Sequence, residues 1–480
     1  MIKKIFGHSL LYSLANHVPL FANILILPFI TPFLTKEDYG IFGLTYAYIG
    51  AFNAFSMLGV EALIQNSYFI NKSKFKVLWS KYFGLLSIWR LIYSAIITTL
   101  MYIIFYPKLN ENIYIFLLII IIPILCFDLT KTFGIKFCQY EGKHQNVYFS
   151  SFIASVFSIA TSFICIYHFK LGYLGFLIAS AVASCIQFLF FFYIIHYKLR
   201  IFPDVRISIL FIKKTLKISS PVILHNYSGY LLNSSDRIVL DLNRISINEI
   251  GGYNLAYSFS NYFSSFNNSM NSILTPIYFK CFALKDKIKS SLLVNSITIL
   301  WFYFILISCL LICIWCKEIF GLLFRNPEFI DVYTFVPYIL VGMMYRPFYV
   351  ACVDKNIFFE KTKNILYISV GGGMLNILLN FLLVPYFGIQ SVLYTTFVSY
   401  LYMGFSGFYI KSIKENLDFK GNPMIFIFII ISTLIISLIL MDLTLHFKII
   451  ISILILFISL LIYHYRFKTM VNRLIKENLF

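Results

Sequence analysis

The chain has little charge for its length. Of 480 residues only 12% are Asp, Glu, Lys or Arg, and the 20 acids are outnumbered by 39 bases. A soluble fold of this size needs more charge on its surface, so a water-soluble globular architecture is excluded. Long loops are missing as well: the longest polar stretch, from about Lys198 to Lys217, is too short for a folded domain. No P-loop, zincin helix, nucleophile elbow or dinucleotide fingerprint is present, so no enzymatic chemistry is expected. The eight His have no metal-ligand spacing, and neither a metal nor another cofactor is expected. Nine Cys, an odd number, are scattered mostly through apolar stretches. Cys313-Ile-Trp-Cys316 has CxxC spacing and Cys309 extends it along one helical face, but no partner His or Cys lies near, so packing of small apolar thiols is the expectation.

What the chain does have is apolar runs about 20 residues long, the length a helix rising ~1.5 Å per residue needs to cross a bilayer. Hydrophobic residues make up 60% of the sequence, and the mean hydropathy is +0.83. Fourteen spans are read near residues 9–34, 40–68, 82–106, 113–135, 146–168, 173–197, 216–243, 250–276, 291–315, 331–352, 364–385, 388–410, 423–441 and 447–464. The expected fold is an all-α integral membrane protein.

Most of the basic residues fall in groups: Lys3 and Lys4, Lys72 to Lys81, Lys131 to Lys143, Lys198 to Lys217, Lys280 to Lys289, Lys355 to Lys363, Lys411 to Lys420, and Arg466 to Lys476. These groups follow every even-numbered span or occupy the termini, while the opposite loops hold few cations, among them Lys317 and Lys448. Positive loops stay in the cytoplasm, so both termini are expected inside. The net charge of +19 is thereby a topology signal, and no nucleic-acid partner is expected. Lys3 and Lys4 precede an apolar stretch as in a signal peptide, but the stretch runs past Leu34 without a small-x-small cleavage site and reads as a retained first span.

Two parts of the chain resemble each other. Thr35-Lys-Glu-Asp-Tyr-Gly-Ile-Phe-Gly-Leu-Thr-Tyr46 matches Ser246-Ile-Asn-Glu-Ile-Gly-Gly-Tyr-Asn-Leu-Ala-Tyr257, and Lys136-Phe-Cys-Gln-Tyr-Glu141 matches Lys355-Asn-Ile-Phe-Phe-Glu360. The offset spans six helices, an even number, so the halves share one orientation, as in transporters built of parallel repeats with a midplane ligand site. The expected organisation is a six-helix lobe over 1–200, a linker over 201–215, a second six-helix lobe over 216–411, and two additional helices with a tail over 412–480. A central cavity between the lobes is expected.

Polar residues inside apolar runs are costly and point to function. In the seventh span Asn226, Tyr230, Asn233, Arg237, Asp241 and Arg244 recur every three or four residues as one stripe, with Asp236 beside it. The eighth span repeats the pattern with Asn254, Tyr257, Asn261, Ser265, Asn268 and Ser272. The charges at the end of the seventh span also fit a loop, and Arg237 and Asp241 also fit an i,i+4 pair. Arg90, Lys131, Arg237 and Arg346 are candidates for binding an anion, Arg90 and Arg346 the better ones because guanidinium forks match phosphate oxygens. Lys131 and Asp128 equally fit an i,i+3 pair. Glu61, Asp128, Asp236 and Asp241 are candidates for ion coupling or gating, and Glu61 also fits a helix-end carboxylate. His17 and His225 read as structural. Gly371-Gly372-Gly373, followed by Asn376 and Asn380, interrupts the eleventh span as a hinge or a site of close packing. Pro19, Pro28 and Pro32 suggest kinks in the first.

The stretch Pro28-Phe-Ile-Thr-Pro-Phe-Leu-Thr-Lys-Glu-Asp-Tyr-Gly-Ile-Phe42 resembles the opening of bacterial polysaccharide-repeat-unit flippases of the Wzx type, relatives of multidrug and toxin extruders. So do Ser235-Asp-Arg-Ile-Val-Leu240 and the run from Ile250-Gly-Gly-Tyr253 to Leu255-Ala-Tyr257. The resemblance implies translocation of an undecaprenyl-pyrophosphate-linked oligosaccharide across the bacterial inner membrane by alternating access, for O-antigen or capsule. The cations would take the pyrophosphate, and Asn226, Tyr230, Asn233, Asn254, Tyr257, Asn261 and Asn268 the glycan. It further implies ion-gradient coupling, a monomer among membrane lipids, and a polysaccharide polymerase and chain-length regulator as partners. A drug extruder of the same fold and a membrane polysaccharide polymerase are the competing readings. The mixture of Arg and Asp disfavours the first, and the short outer loops disfavour the second.

Overall fold

The computed structural model describes residues 23–70, 72–109, 112–409 and 422–468, with the side chains of 221, 222, 224–226, 228, 229, 231–233, 362 and 466 left aside. The readings of Lys3, Lys4, His17, Pro19, the Lys411 to Lys420 group, Arg473 and Lys476 therefore fall outside the described residues, as do the side chains of His225, Asn226, Asn233 and Arg466. The described residues are mostly helical and contain no strand, with a non-helical segment over 200–208.

Among the described residues fourteen helical segments follow one another, of which nine, or ten with one bent pair, are long and apolar enough to cross a membrane. They are α1 (Asn23–Phe33), α2 (the pair Lys36–Ser56 and Glu61–Ile70), α3 (Phe75–Leu109), α4 (Ile113–Tyr140), α5 (His144–His168), α6 (Tyr173–Lys198) and α7 (the pair Ile209–Asn233 and Ser235–Leu242). Then come α8 (Ile247–Phe282), α9 (Lys287–Ile314), α10 (Pro327–Phe358), α11 (Thr362–Phe387), α12 (Ile389–Tyr409), α13 (Pro423–Leu440) and α14 (Leu445–Tyr465). A short helix, Cys316–Leu323, joins α9 to α10. Large apolar side chains such as Phe428, Ile453 and Leu460 point outward, as they do where the solvent is hydrocarbon. The chain folds as two compact units, and the boundary between them falls inside α7, after Tyr230.

The sequence repeat turns out to carry a capping device. Thr35 accepts from the Asp38 amide while Asp38 accepts from the Thr35 amide, a reciprocal capping box that starts α2. Ser246 and Glu249, the residues aligned with Thr35 and Asp38, start α8 similarly: the serine oxygen accepts from the Glu249 amide at 3.3 Å and its hydroxyl donates to the Glu249 carboxylate at 2.8 Å. In the first unit Asp38 does further work, accepting from the Tyr173 amide at 2.7 Å and so fixing the start of α6. Gly172 makes room for that contact: its φ is +53°, and a Cβ there would lie 2.2 Å from the Asp38 carboxylate.

Three segments differ from expectation. The second span is not one rod over 40–68 but two helices bent by 42°. Leu58 and Gly59 are both left-handed, with φ of 49° and 67°, which a right-handed helix cannot continue through. The Trp79 indole fastens the second piece by donating to the Ile64 carbonyl at 3.1 Å and to Ser67 at 3.0 Å. Trp79 itself is packed among Phe83, Phe133 and Phe137.

The seventh span breaks at Ser234, so the predicted stripe from Asn226 to Arg244 is not one continuous helical face. The eleventh span, by contrast, is unbroken through its three glycines. A Cβ on Gly371 would lie 2.6 Å from the Tyr402 hydroxyl oxygen, and one on Gly372 would lie 2.5 Å from Met403 Cγ. The glycines serve close approach of α12 to α11, not an interruption.

Two further fastenings hold their segments in place. The segment after α6 is tied to the first unit: the His196 ring bonds the Ile201 carbonyl at 2.6 Å, the Asp204 amide donates to the Ser80 carbonyl at 2.9 Å, and the bare Gly84 faces the Asp204 carbonyl. In the second unit Lys448, counted above among loop charges, is fully buried in the first turn of α14. Its ammonium donates to both Glu318 oxygens at 2.7 and 2.8 Å and to the Met441 carbonyl at 2.7 Å.

Candidate functional site

The bend in α2 opens a cleft of about 560 Å³ within the first unit, with a mostly polar exposed lining. Five of the residues singled out in the sequence line it: Glu61, Arg90, Asp128, Lys131 and Tyr230, joined by Asn53 and Thr132. Glu61 occupies the first turn of the second α2 piece, where an acid complements the helix N-terminus, and Lys136 lies 3.6 Å from it.

Arg90 comes from the middle of α3 and is only 4% exposed. Opposite it, α4 widens into a π turn over Pro123–Phe127, a form of helix that is common at functional positions. Arg90 Nη1 donates to the Ile124 carbonyl in this turn at 2.8 Å, and Nη2 reaches only the Met57 sulfur at 3.9 Å, a weak acceptor. Arg90 Nε is buried without a hydrogen-bond partner. Asp128, at the end of the π turn, accepts from Lys131 at 2.7 Å and stands 3.7 Å from Arg90. The i,i+3 pairing of Asp128 with Lys131 is thus observed, yet Arg90 keeps an unused donor. A buried guanidinium with an unpaired N–H has the chemistry to take an anion.

The second unit holds a polar centre of another kind. Asp236, with no exposed surface, accepts from Tyr253 at 2.6 Å, Asn380 at 2.8 Å and Thr396 at 3.2 Å. Asn380 also donates to Asn376 at 3.1 Å, and Asn376 to Thr396 at 3.3 Å. Beside this network Arg237 donates to Asn254 at 2.8 Å and lies over the Tyr257 ring at 4.6 Å from its centroid. Tyr257 in turn meets Tyr400, hydroxyl to hydroxyl, at 3.3 Å. Asp236 and Arg237 therefore belong to the interior rather than to a loop. Arg244, in contrast, is exposed in the turn after Ser235–Leu242 with φ of 58°.

The remaining candidates are apart from these two centres. Arg346, at the junction of a 3-10 turn with the last piece of α10, donates to Asn268, and its Nε is buried without a partner. Asn261 and Asn268 are exposed on α8, and Asp241 is half-buried. Tyr253, Thr396 and Tyr400 were not foreseen. The first sits inside the repeated motif, but nothing local marks the other two. Asn376 and Asn380, noted beside the glycines, carried a usable signal: two amides one helical turn apart in an apolar run. Cys309 and Cys316 are packed thiols donating to the Leu340 and Tyr333 carbonyls at 3.4 and 3.7 Å.

No curated protein sequence matches the chain. Among solved structures, the lipid II flippase MurJ in an inward closed conformation is similar, with a TM-score of 0.64 at 16% identity over 96% of this chain and 99% of that one. An inward-facing multidrug resistance MATE family transporter of the MOP superfamily gives 0.60 at 14% identity, over 83% and 96%. A mutant of the Vibrio cholerae MATE transporter VcmN gives 0.51 at 15% identity, over 86% and 98%. These likenesses establish the fold: a multi-span membrane transporter architecture. Residues 5–282, more than half of the sequence, match the family described as polysaccharide biosynthesis protein, and to that family this chain belongs.

Proposed function

We propose that the chain is a flippase for undecaprenyl-pyrophosphate-linked oligosaccharide repeat units, moving them across the bacterial inner membrane by alternating access in O-antigen or capsule assembly. The observation that carries this reading is Arg90: a buried guanidinium with an unpaired N–H, near Lys131, at a polar cleft. A pyrophosphate supplies oxygens that such a fork can hold, and Asn53, Thr132 and Tyr230 supply neutral partners for sugar hydroxyls. The lipid tail stays in the bilayer, and no covalent step is needed. Within the second unit Arg346 has its own unpaired Nε, whereas Arg237 is engaged by Asn254 and the tyrosine rings.

Asp236 is the coupling residue in this reading. It is a single buried carboxylate among neutral oxygens and amides, able to exchange a proton or a monovalent cation as transport proceeds. The Lys-rich loops and both termini face the cytoplasm, and the protein works as a monomer alongside a polymerase and a chain-length regulator.

The deciding experiment is done in a strain deleted for the gene, by following lipid-linked oligosaccharide and surface glycan together. Complete repeat units trapped on the cytoplasmic leaflet, with no surface polymer, are expected, and wild-type but not Arg90→Ala chain should restore export. If single units still reach the surface and only long chains vanish, the protein is instead a polymerase. An unchanged glycan profile would sink the reading and favour drug export.

A further inference from the structure

We infer that Asp128 is a resident counter-ion, holding the place of the substrate's diphosphate in the first-unit cleft and displaced by it on binding. This deepens the flippase reading and rests on it.

Asp128 is shared by two cations but satisfies only one. It takes a short charge-assisted hydrogen bond from Lys131 at 2.7 Å, while Arg90 Nη1 is 3.7 Å away, beyond the ~2.7–2.9 Å of such bonds. Arg90 is held in place by the Ile124 carbonyl instead, through the π turn that immediately precedes Asp128. The guanidinium is thus positioned independently of the acid, and its buried Nε is left over. Asp128 is the more accessible partner, with 28% of its side chain exposed against 4% for Arg90. Arg90 is built in, whereas Asp128 and Lys131, with 28% and 21% of their side chains exposed, face the cleft and can rearrange.

A ligand anion cannot simply join this arrangement. Its oxygens would sit against the Asp128 carboxylate beside a low-dielectric wall, where like charges repel strongly. It must take over Lys131 and the free face of Arg90 and push Asp128 aside. The acid is tethered one turn from Lys131, so its effective concentration is high, and a ligand with one negative charge gains little by replacing it. A diphosphate brings more charge and more oxygens than the single carboxylate, and it can reach both cations at once. Asp128 therefore acts as a filter: it favours diphosphate headgroups over monophosphates and carboxylates, and it keeps Lys131 paired when the cleft is empty.

The test is direct binding to the purified full-length protein in nanodiscs, with inorganic pyrophosphate, orthophosphate and acetate as probes at low ionic strength. Wild type should bind pyrophosphate roughly tenfold or more tightly than orthophosphate, and acetate not measurably. Asp128→Asn keeps the shape and removes the charge. It should bind pyrophosphate roughly tenfold tighter than wild type and narrow the gap to orthophosphate. Should pyrophosphate bind wild type but no more tightly to Asp128→Asn, Asp128 merely orients its neighbours and the counter-ion assignment is wrong, with the anion site intact. If that variant fails to fold, the wild-type series decides alone, because equal affinity for pyrophosphate and orthophosphate would overturn the filter. Absence of pyrophosphate binding to both proteins would overturn the diphosphate site itself, and the counter-ion with it.

Discussion

The two units begin from the same repeated motif and end with opposite electrostatics. In the first, charges line an open cleft and are under-satisfied: Arg90 has an unpaired N–H and Asp128 is divided between two cations. In the second, Asp236 is closed in by three donors, and Arg237 is covered by an amide and two rings. A buried charge left partly unpaired is expensive and persists where a ligand completes it, whereas a fully bonded one holds structure or cycles a small ion. The repeated scaffold thus carries an open, under-satisfied charge cluster in one half and a closed polar network in the other.

The comparison can be broken most forcefully at the two acids. Asp236→Ala leaves Tyr253, Asn380 and Thr396 without their acceptor and should cost about 3–5 kcal/mol, read as a large fall in thermal unfolding temperature in detergent. Asp128→Ala removes a part-exposed acid and should cost within about 1 kcal/mol. If the first unit suffers more than the second, the contrast between open and closed centres is wrong. Arg90→Lys sharpens it from the other side. Export should drop about tenfold or more while the unfolding temperature hardly moves, since lysine keeps the charge but not the fork.

The next effect is smaller and tests the repeat. Gly172 and Gly388 both precede a helix, with φ of +53° and +59°. Alanine should cost about 1–3 kcal/mol at either position through backbone strain. The loss should be larger at Gly172, where a Cβ meets the Asp38 carboxylate at 2.2 Å, than at Gly388, where the nearest atom, of Ile245, is 3.9 Å away. Equal losses would mean that Asp38 yields at no cost. Thr35→Ala and Ser246→Ala remove matched caps and should each cost about 1 kcal/mol, measured by the same unfolding assay.

The least effect concerns pH. Just past α4, the Tyr68 hydroxyl donates to Glu141 and Lys143 lies 3.2 Å from it, so that carboxyl is held below its usual range. A depressed carboxylate contributes stability above its unfolded-state pKa and loses it as pH falls through the folded value. Tyr68→Phe should therefore lower neutral-pH stability slightly and flatten the shallow acid-side decline, leaving stability at low pH nearly unchanged.

Much of the fold was legible because each pass is a local signal: an apolar run of the right length declares itself without reference to the rest of the chain. The same locality exposed Arg90, Asp128, Lys131 and Asp236, since a charge in such a run stands out. The backbone breaks were hidden. Leu58 is an unremarkable residue whose left-handed turn bends α2, and Ser234 has no proline or glycine beside it to mark the break in α7. Partners distant in sequence were hidden too. Thr396 lies 160 residues from the aspartate it serves, and Tyr400 is 143 from Tyr257. Which buried charges would be satisfied and which left open depends on those distant partners, so the sequence could name the charged residues but not assign them to an open or a closed centre.

Lys448 carries a consequence for how the protein is made. Its buried ammonium has two kinds of partner: the Met441 carbonyl just ahead of α14, and Glu318, which belongs to a helix synthesised 130 residues earlier. As the ribosome releases the last two helices, that lysine enters the bilayer with its main counter-charge elsewhere, and only docking against Cys316–Leu323 relieves it. Until then Glu318 waits unpaired. Chains cut short before Leu445 should therefore leave the Glu318 carboxylate without its ammonium partner, read as a lower unfolding temperature.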